Sequence, residues 1–126
     1  LNGGRHDVVR FGGRVAVDMK VRLVPSLGHP MLVVDVLDTK GLQISGRRVP
    51  LRRAGQEGEV VVSMAFEARL QRGVYWMRMR LVDEPPQGHA EIVARQQGWL
   101  SFEVDEDSRD RFVGLFELPM DIQVSS

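Results

Sequence analysis

The chain has 126 residues, with 17 basic and 17 acidic side chains, a formal net charge of zero and a pI near 7.0. That length describes one domain able to bury a core without staples, and the charge balance argues against broad electrostatic capture of nucleic acid or an anionic membrane. The absence of cysteine removes disulfide and thiolate chemistry and fits a reducing compartment; no signal peptide is visible, and no apolar run approaches the ~18–20 residues of a membrane span.

Residues 1–7 are polar and glycine-rich and read as a flexible lead-in, with residues 8–126 as the folded domain. The chain opens on Leu1-Asn2-Gly3-Gly4 without a methionine, which points to a segment excised from a longer protein. Val8, Val9 and Phe11 suggest a short strand ended by Gly12-Gly13. From Val15 to Leu23 the alternation is clear, with Val15, Val17, Met19, Val21 and Leu23 on one side and Ala16, Asp18, Lys20 and Arg22 on the other. Met31 to Leu37 is almost wholly apolar, broken only by Asp35, as suits a central strand or a dimer contact. Asp38-Thr39-Lys40-Gly41 is a hairpin turn, Leu42 and Ile44 a short strand, and Gly46 to Gly58 a long loop holding Arg47, Arg48, Arg52 and Arg53. Val60, Val62, Met64 and Phe66 alternate with smaller residues in the next strand.

The most regular segment is Gly73 to Asp83, GVYWMRMRLVD. Its period of two sends Tyr75, Met77, Met79 and Leu81 to a core and Val74, Trp76, Arg78 and Arg80 to the opposite face. After the break at Glu84-Pro85-Pro86-Gln87-Gly88, His89 to Arg95 alternates again, Gln97-Gly98 reads as a turn, and Leu100, Phe102 and Val104 form an inward set. Phe112 to Phe116 and Met120 to Val124 give two last short strands. About eight to ten short strands without a convincing helix describe an all-β, antiparallel β-sandwich. Leu23, Val62, Phe66, Tyr75, Met77, Met79, Leu100 and Phe102 are its central core.

Catalytic constellations are missing from the sequence pattern. His6, His29 and His89 are scattered without metal-ligand spacing, and neither a P-loop nor a G-x-S-x-G elbow occurs, so no cofactor or metal is expected. Asp105-Glu106-Asp107 reads as a solvated turn rather than a calcium site, because no glycine-spaced loop frames it. The Arg47, Arg48, Arg52 and Arg53 group suits phosphates or carboxylates, or else a soluble loop facing Glu57 and Glu59. The outward side of the Gly73–Asp83 strand is more pointed. An exposed indole beside two guanidiniums matches a sugar-binding surface, the ring stacking on C–H faces and the arginines reaching hydroxyls. Trp99 alternates with Leu100, Phe102 and Val104 and is a second candidate for an outward face. The alternatives are that Trp76 or Trp99 caps the core edge or fills a dimer contact.

Several stretches taken together resemble one family: F-G-G-R-V-A-V at Phe11–Val17, the run from Asp35 to Gly46 ending in I-S-G, and F-E-A-R-L-Q-R-G-V-Y at Phe66–Tyr75. F-E-V from Phe102 and V-G-L-F-E-L-P at Val113–Pro119 complete the set. The chain is similar, over about residues 8–124, to the C-terminal carbohydrate-binding domain of Wzt-type ATPases, the nucleotide-binding subunits of ABC transporters that export O-antigen and related polysaccharides. The resemblance implies an immunoglobulin-like sandwich that binds the bacterial polysaccharide at the cytoplasmic face of the inner membrane, without catalysis. It also implies an upstream ATP-binding cassette that meets a transmembrane permease, and a homodimer in which the last strand, with Met120, Ile122 and Val124, pairs with or swaps onto its partner. The family offers no strict binding motif to transfer, so the glycan-binding candidates Trp76, Arg78, Arg80 and Trp99 come from strand facing alone. A competing reading is a structural or protein-interaction sandwich; a third, a sugar-modifying enzyme, would need clustered carboxylates or histidines.

Overall fold

The computed structural model describes residues 5–23, 28–51, 58–83 and 91–125, without the side chains of 91–99. Among these residues the chain forms seven strands: β1 (Arg5–Val9), β2 (Arg14–Leu23), β3 (Pro30–Asp38), β4 (Gln43–Pro50), β5 (Gly58–Glu67), β6 (Gly73–Asp83) and β7 (Glu91–Val104). They build a five-stranded sheet in the order β1-β7-β6-β3-β4 and a two-stranded sheet of β2 and β5. All neighbours are antiparallel except β1 and β7, which run parallel. The result is the all-β sandwich expected from the alternation.

The packing follows the period-two pattern. Every second residue of β2, from Val15 to Leu23, is buried, and its intervening residues are exposed. Opposite them lie Leu32 and Val34 of β3, Tyr75 and Met77 of β6, and Leu100, Phe102 and Val104 of β7. Phe102 is fully buried at the centre, stacked on Tyr75 at 5.4 Å between ring centroids and meeting Phe66 of the other sheet edge-on at 5.5 Å. Such pairs add roughly 0.5–1.5 kcal/mol beyond the area they bury. Val62, Phe66 and Met79, expected at the centre, are only partly buried and pack against the cluster.

Four elements differ from expectation. The first strand begins at Arg5, inside the stretch read as a lead-in, because β1 finds a parallel partner in β7. Gln97-Gly98 is not a turn: β7 runs unbroken, and the register jumps from Met77↔Leu100 to Arg78↔Gln97. Glycine in a strand marks such a bulge as readily as it marks a turn. β4 extends through Gly46, Arg47 and Arg48 to Pro50, where a loop was expected. Its polarity is that of an edge strand with a solvent face; Arg52 and Arg53 lie outside the described residues. Finally, Phe112–Phe116 and Met120–Val124 form no strands; Leu70 and Phe116 make an isolated bridge, and the rest is extended coil.

The turn after β3 holds as expected. Asp38 O accepts from Gly41 N at 3.1 Å, and the Asp38 carboxylate accepts from the Lys40 and Leu42 amides. Gly41 takes the positive φ of 84° that this turn demands. That turn fixes which β4 residues lie over β3, and so shapes the surface described next.

Candidate functional site: the outer face of the five-stranded sheet

The side of β6 turned away from the core carries Val74, Trp76, Arg78, Arg80 and Val82, placed there by the strand's alternation. Across β3 their partners are Leu37 for Trp76, Asp35 for Arg78, Val33 for Arg80 and Met31 for Val82. Across β7, Trp76 faces Ser101. Trp76 is 40% exposed in mid-strand, so its indole is available to a ligand.

Asp35 organises the two arginines. Its carboxylate is 1% exposed. Arg78 donates to Asp35 Oδ2 from Nε at 2.9 Å and pairs through Nη2 at 2.8 Å, and Arg80 Nη2 reaches the same oxygen at 3.0 Å. Asp35 Oδ1 accepts from Gln43 Nε2 of β4 at 3.0 Å. A fully buried carboxylate on an outer sheet face is tolerable only with this density of donors. Gly46 lets β4 pass close over it, since a Cβ there would lie 2.8 Å from Asp35 Oδ1 and 2.9 Å from the Val34 carbonyl. Val33 and Val82 are buried on the same face beside Arg80, giving the cluster an apolar floor. The arginine side chains keep 22% and 27% exposure, while Arg80 Nε itself is buried with no hydrogen-bond partner.

Beyond Trp76, Ser101 is buried and shares a hydrogen bond with His6 Nδ1 of β1, while His6 Nε2 lies 3.8 Å from Glu103. Of the residues singled out from the sequence, the structure therefore brings Trp76, Arg78 and Arg80 onto one surface. Trp99 lies on β7 at the bulge, but its side chain is outside the described residues. Asp35, Leu37 and Gln43 are additions that the sequence reading did not include. The signal available was the single carboxylate in the apolar run Met31–Leu37, at a position able to meet an alternate-residue arginine pair.

The second feature is a cleft of about 690 Å³ between β4 and β5, lined by Val36, Ile44, Val49, Met64 and Phe66, among others. It exists because two strands cannot cover five. The inward residues of β5 are only half-buried, and among the described residues its outer edge has no strand neighbour. The chain after β7 reaches the mouth of this cleft, where Glu117 N donates to Arg69 O at 3.1 Å and the Glu117 and Arg69 side chains pair at 2.7 Å. From there Met120, Ile122 and Val124 are 68%, 77% and 93% exposed.

The other sequence candidates have local roles. Asp107 pairs with Arg109 at 2.7 Å, which holds its carboxyl below the usual range, and Glu106 lies 3.8 Å from Arg10. Among the described residues no three His, Asp or Glu side chains gather in a metal-holding group. Arg47 lines the cleft.

Comparison with known proteins places this geometry. The family model of the Wzt C-terminal domain matches residues 1–118. A crystal structure of the C-terminal domain of wzt aligns with a TM-score of 0.68 at 14% sequence identity, covering 97% of this chain and 74% of that one, a likeness of fold. No curated protein matches the chain.

Proposed function

The chain belongs to the Wzt C-terminal domain family, associated with ABC transporters of polysaccharide export, and from that premise we propose that it is a non-catalytic module binding the exported bacterial polysaccharide on the outer face of its five-stranded sheet. The observation that carries this reading is Trp76, exposed at mid-strand beside two arginines fixed by a buried carboxylate. An indole covers the C–H face of a sugar ring, and immobilised guanidiniums meet its oxygens without first losing rotamer freedom. No bond of the glycan needs to break. Each sugar gains little, because its hydroxyls exchange water for protein donors at small net benefit.

Weak single sites gain from pairing. In this reading the module works as a homodimer in the cytoplasm at the inner face of the membrane, attached to an ATP-binding cassette that engages the transmembrane permease. Met120, Ile122 and Val124 supply the dimer strand: they alternate, they are exposed, and the unpaired edge of β5 beside an apolar cleft suits an added strand. Two linked sites then raise the apparent affinity through effective concentration.

Calorimetric titration with the purified surface polysaccharide of the source organism tests the binding reading. Trp76→Ala is expected to weaken binding about tenfold with the fold intact by circular dichroism. Unchanged affinity would remove Trp76 from the site, and no binding by the unaltered chain would overturn the function. Light scattering of the chain with and without residues 118–126 tests the dimer strand; a truncated chain that remains dimeric refutes it. The open edge of β5 also supports a second reading, a protein-interaction sandwich, which predicts dimerisation without glycan binding.

A further inference from the structure

Resting on the binding reading above, we infer that the polysaccharide recognised by this chain carries an anionic group, a carboxylate or a phosphate, and that Arg78 and Arg80 receive it beside Trp76. Among the described residues two guanidiniums and one carboxylate meet at Asp35, an excess of one positive charge. Arginine does not shed its proton to relieve this. Among the described residues the only carboxylate ion-paired with Arg78 or Arg80 is Asp35, and both bond to the same oxygen, Oδ2. The other outward carboxylate nearby, Glu103, faces His6 at 3.8 Å.

Geometry points the same way. Asp35 is wholly buried, whereas the arginine side chains keep 22% and 27% of their surface, so the carboxylate anchors two guanidiniums that are still partly exposed. Arg80 contributes a single nitrogen, Nη2, to the anchor; its Nε is buried without a partner, so the partly exposed end of the guanidinium is what an incoming group meets. A planar donor fork with unspent N–H groups matches two oxygens of one oxyanion better than it matches single hydroxyls. The surroundings strengthen the preference. Trp76, Leu37, Val33 and Val82 share the face, and a charge beside apolar side chains is screened less than one in open water. A neutral glycan would leave that surplus charge uncompensated as it displaced water. A glycan acid would neutralise it while its ring rested on the indole.

The test titrates the 126-residue chain by calorimetry with three forms of the source organism's surface polysaccharide: native, carboxyl-reduced, and dephosphorylated with hydrogen fluoride. Binding of the native form that weakens about tenfold or more in one neutralised form, and weakens with added salt, supports the inference and identifies the group as carboxylate or phosphate. Arg80→Gln should then bind native and neutralised forms alike; if that variant does not fold, the comparison on the unaltered chain still decides. Equal binding of all three forms, or a bound native polymer with neither group, overturns the anionic reading and leaves glycan binding standing. No binding of the native polymer removes the glycan-binding function itself, and this inference with it.

Discussion

Asp35→Asn probes the cluster at its anchor. The substitution keeps volume and removes only the charge. The native carboxylate receives Arg78 Nε at 2.9 Å, Arg78 Nη2 at 2.8 Å, Arg80 Nη2 at 3.0 Å and Gln43 Nε2 at 3.0 Å. An asparagine carbonyl can still accept from one or two of these, but its NH₂ must point at a donor. Breaking a buried pair by removing one partner costs about 3–5 kcal/mol. Here the arginine side chains are 22% and 27% exposed, so water takes over part of their need, and the lower end of that range, about 3 kcal/mol, is expected. For a domain of this size that is a fall of roughly 10 °C in Tm. Thermal unfolding followed by circular dichroism measures it, with the double variant Asp35→Asn/Arg78→Gln to isolate the pair. The double variant should recover part of the loss, since no guanidinium then faces an amide at that position. A Tm within about 2 °C of the parent would refute the claim that this carboxylate organises the face.

Two further outcomes follow from the same coordinates. Gly46→Ala places a methyl 2.8 Å from Asp35 Oδ1 and 2.9 Å from the Val34 carbonyl, so β4 must move off β3; a loss of about 2 kcal/mol in urea unfolding is expected, and a neutral result would show that β4 does not lie so close. Tyr75→Phe removes the hydrogen bond that Tyr75 donates to Gln71 O at 2.6 Å, at a cost of about 1 kcal/mol at neutral pH. Burial, with Asp38 adding to it, raises the Tyr75 pKa above its ordinary value. The folded state therefore holds that proton more tightly than the unfolded chain, and the stability so conferred is complete below the unfolded pKa and drains away as pH rises through the folded one. Phenylalanine does not ionise, so the urea midpoints of parent and variant should converge in alkali; curves that stay parallel would count against the assignment.

Strands that bury one face were legible in the sequence. β2 and β6 announce themselves because Val15 to Leu23 and Tyr75 to Leu81 alternate without a lapse in the sequence; burial follows that period throughout β2, and in β6 at Tyr75, Trp76 and Met77, while outward Val82 is buried as well. β4 was not legible past Ile44, because an edge strand has little to bury and Gly46-Arg47-Arg48 reads as loop chemistry. The continuity of β7 was hidden by Gly98, whose turn and bulge signatures coincide in one dimension. Met120 to Val124 shows the converse: the alternation is present, yet a strand needs a neighbour and the segment pairs with none among the described residues. At the site, Trp76, Arg78 and Arg80 follow from one strand's facing. Asp35 does not, because its meeting with Arg78 depends on the register of β3 against β6, a long-range fact that local patterning does not carry.

On one flank of the sandwich β1 and β2 are joined by a side-chain bond, and on the other, between β4 and β5, lies the cleft. Arg5 Nη2 of β1 donates to the Ala16 carbonyl of β2 at 2.8 Å, while Gly12 and Gly13 exchange backbone bonds with Ala68 and so prolong the β2–β5 pairing. Amide hydrogens along β5 should trade with deuterated solvent sooner than those of β6, because β6 lies between two strands and β5, among the described residues, has one.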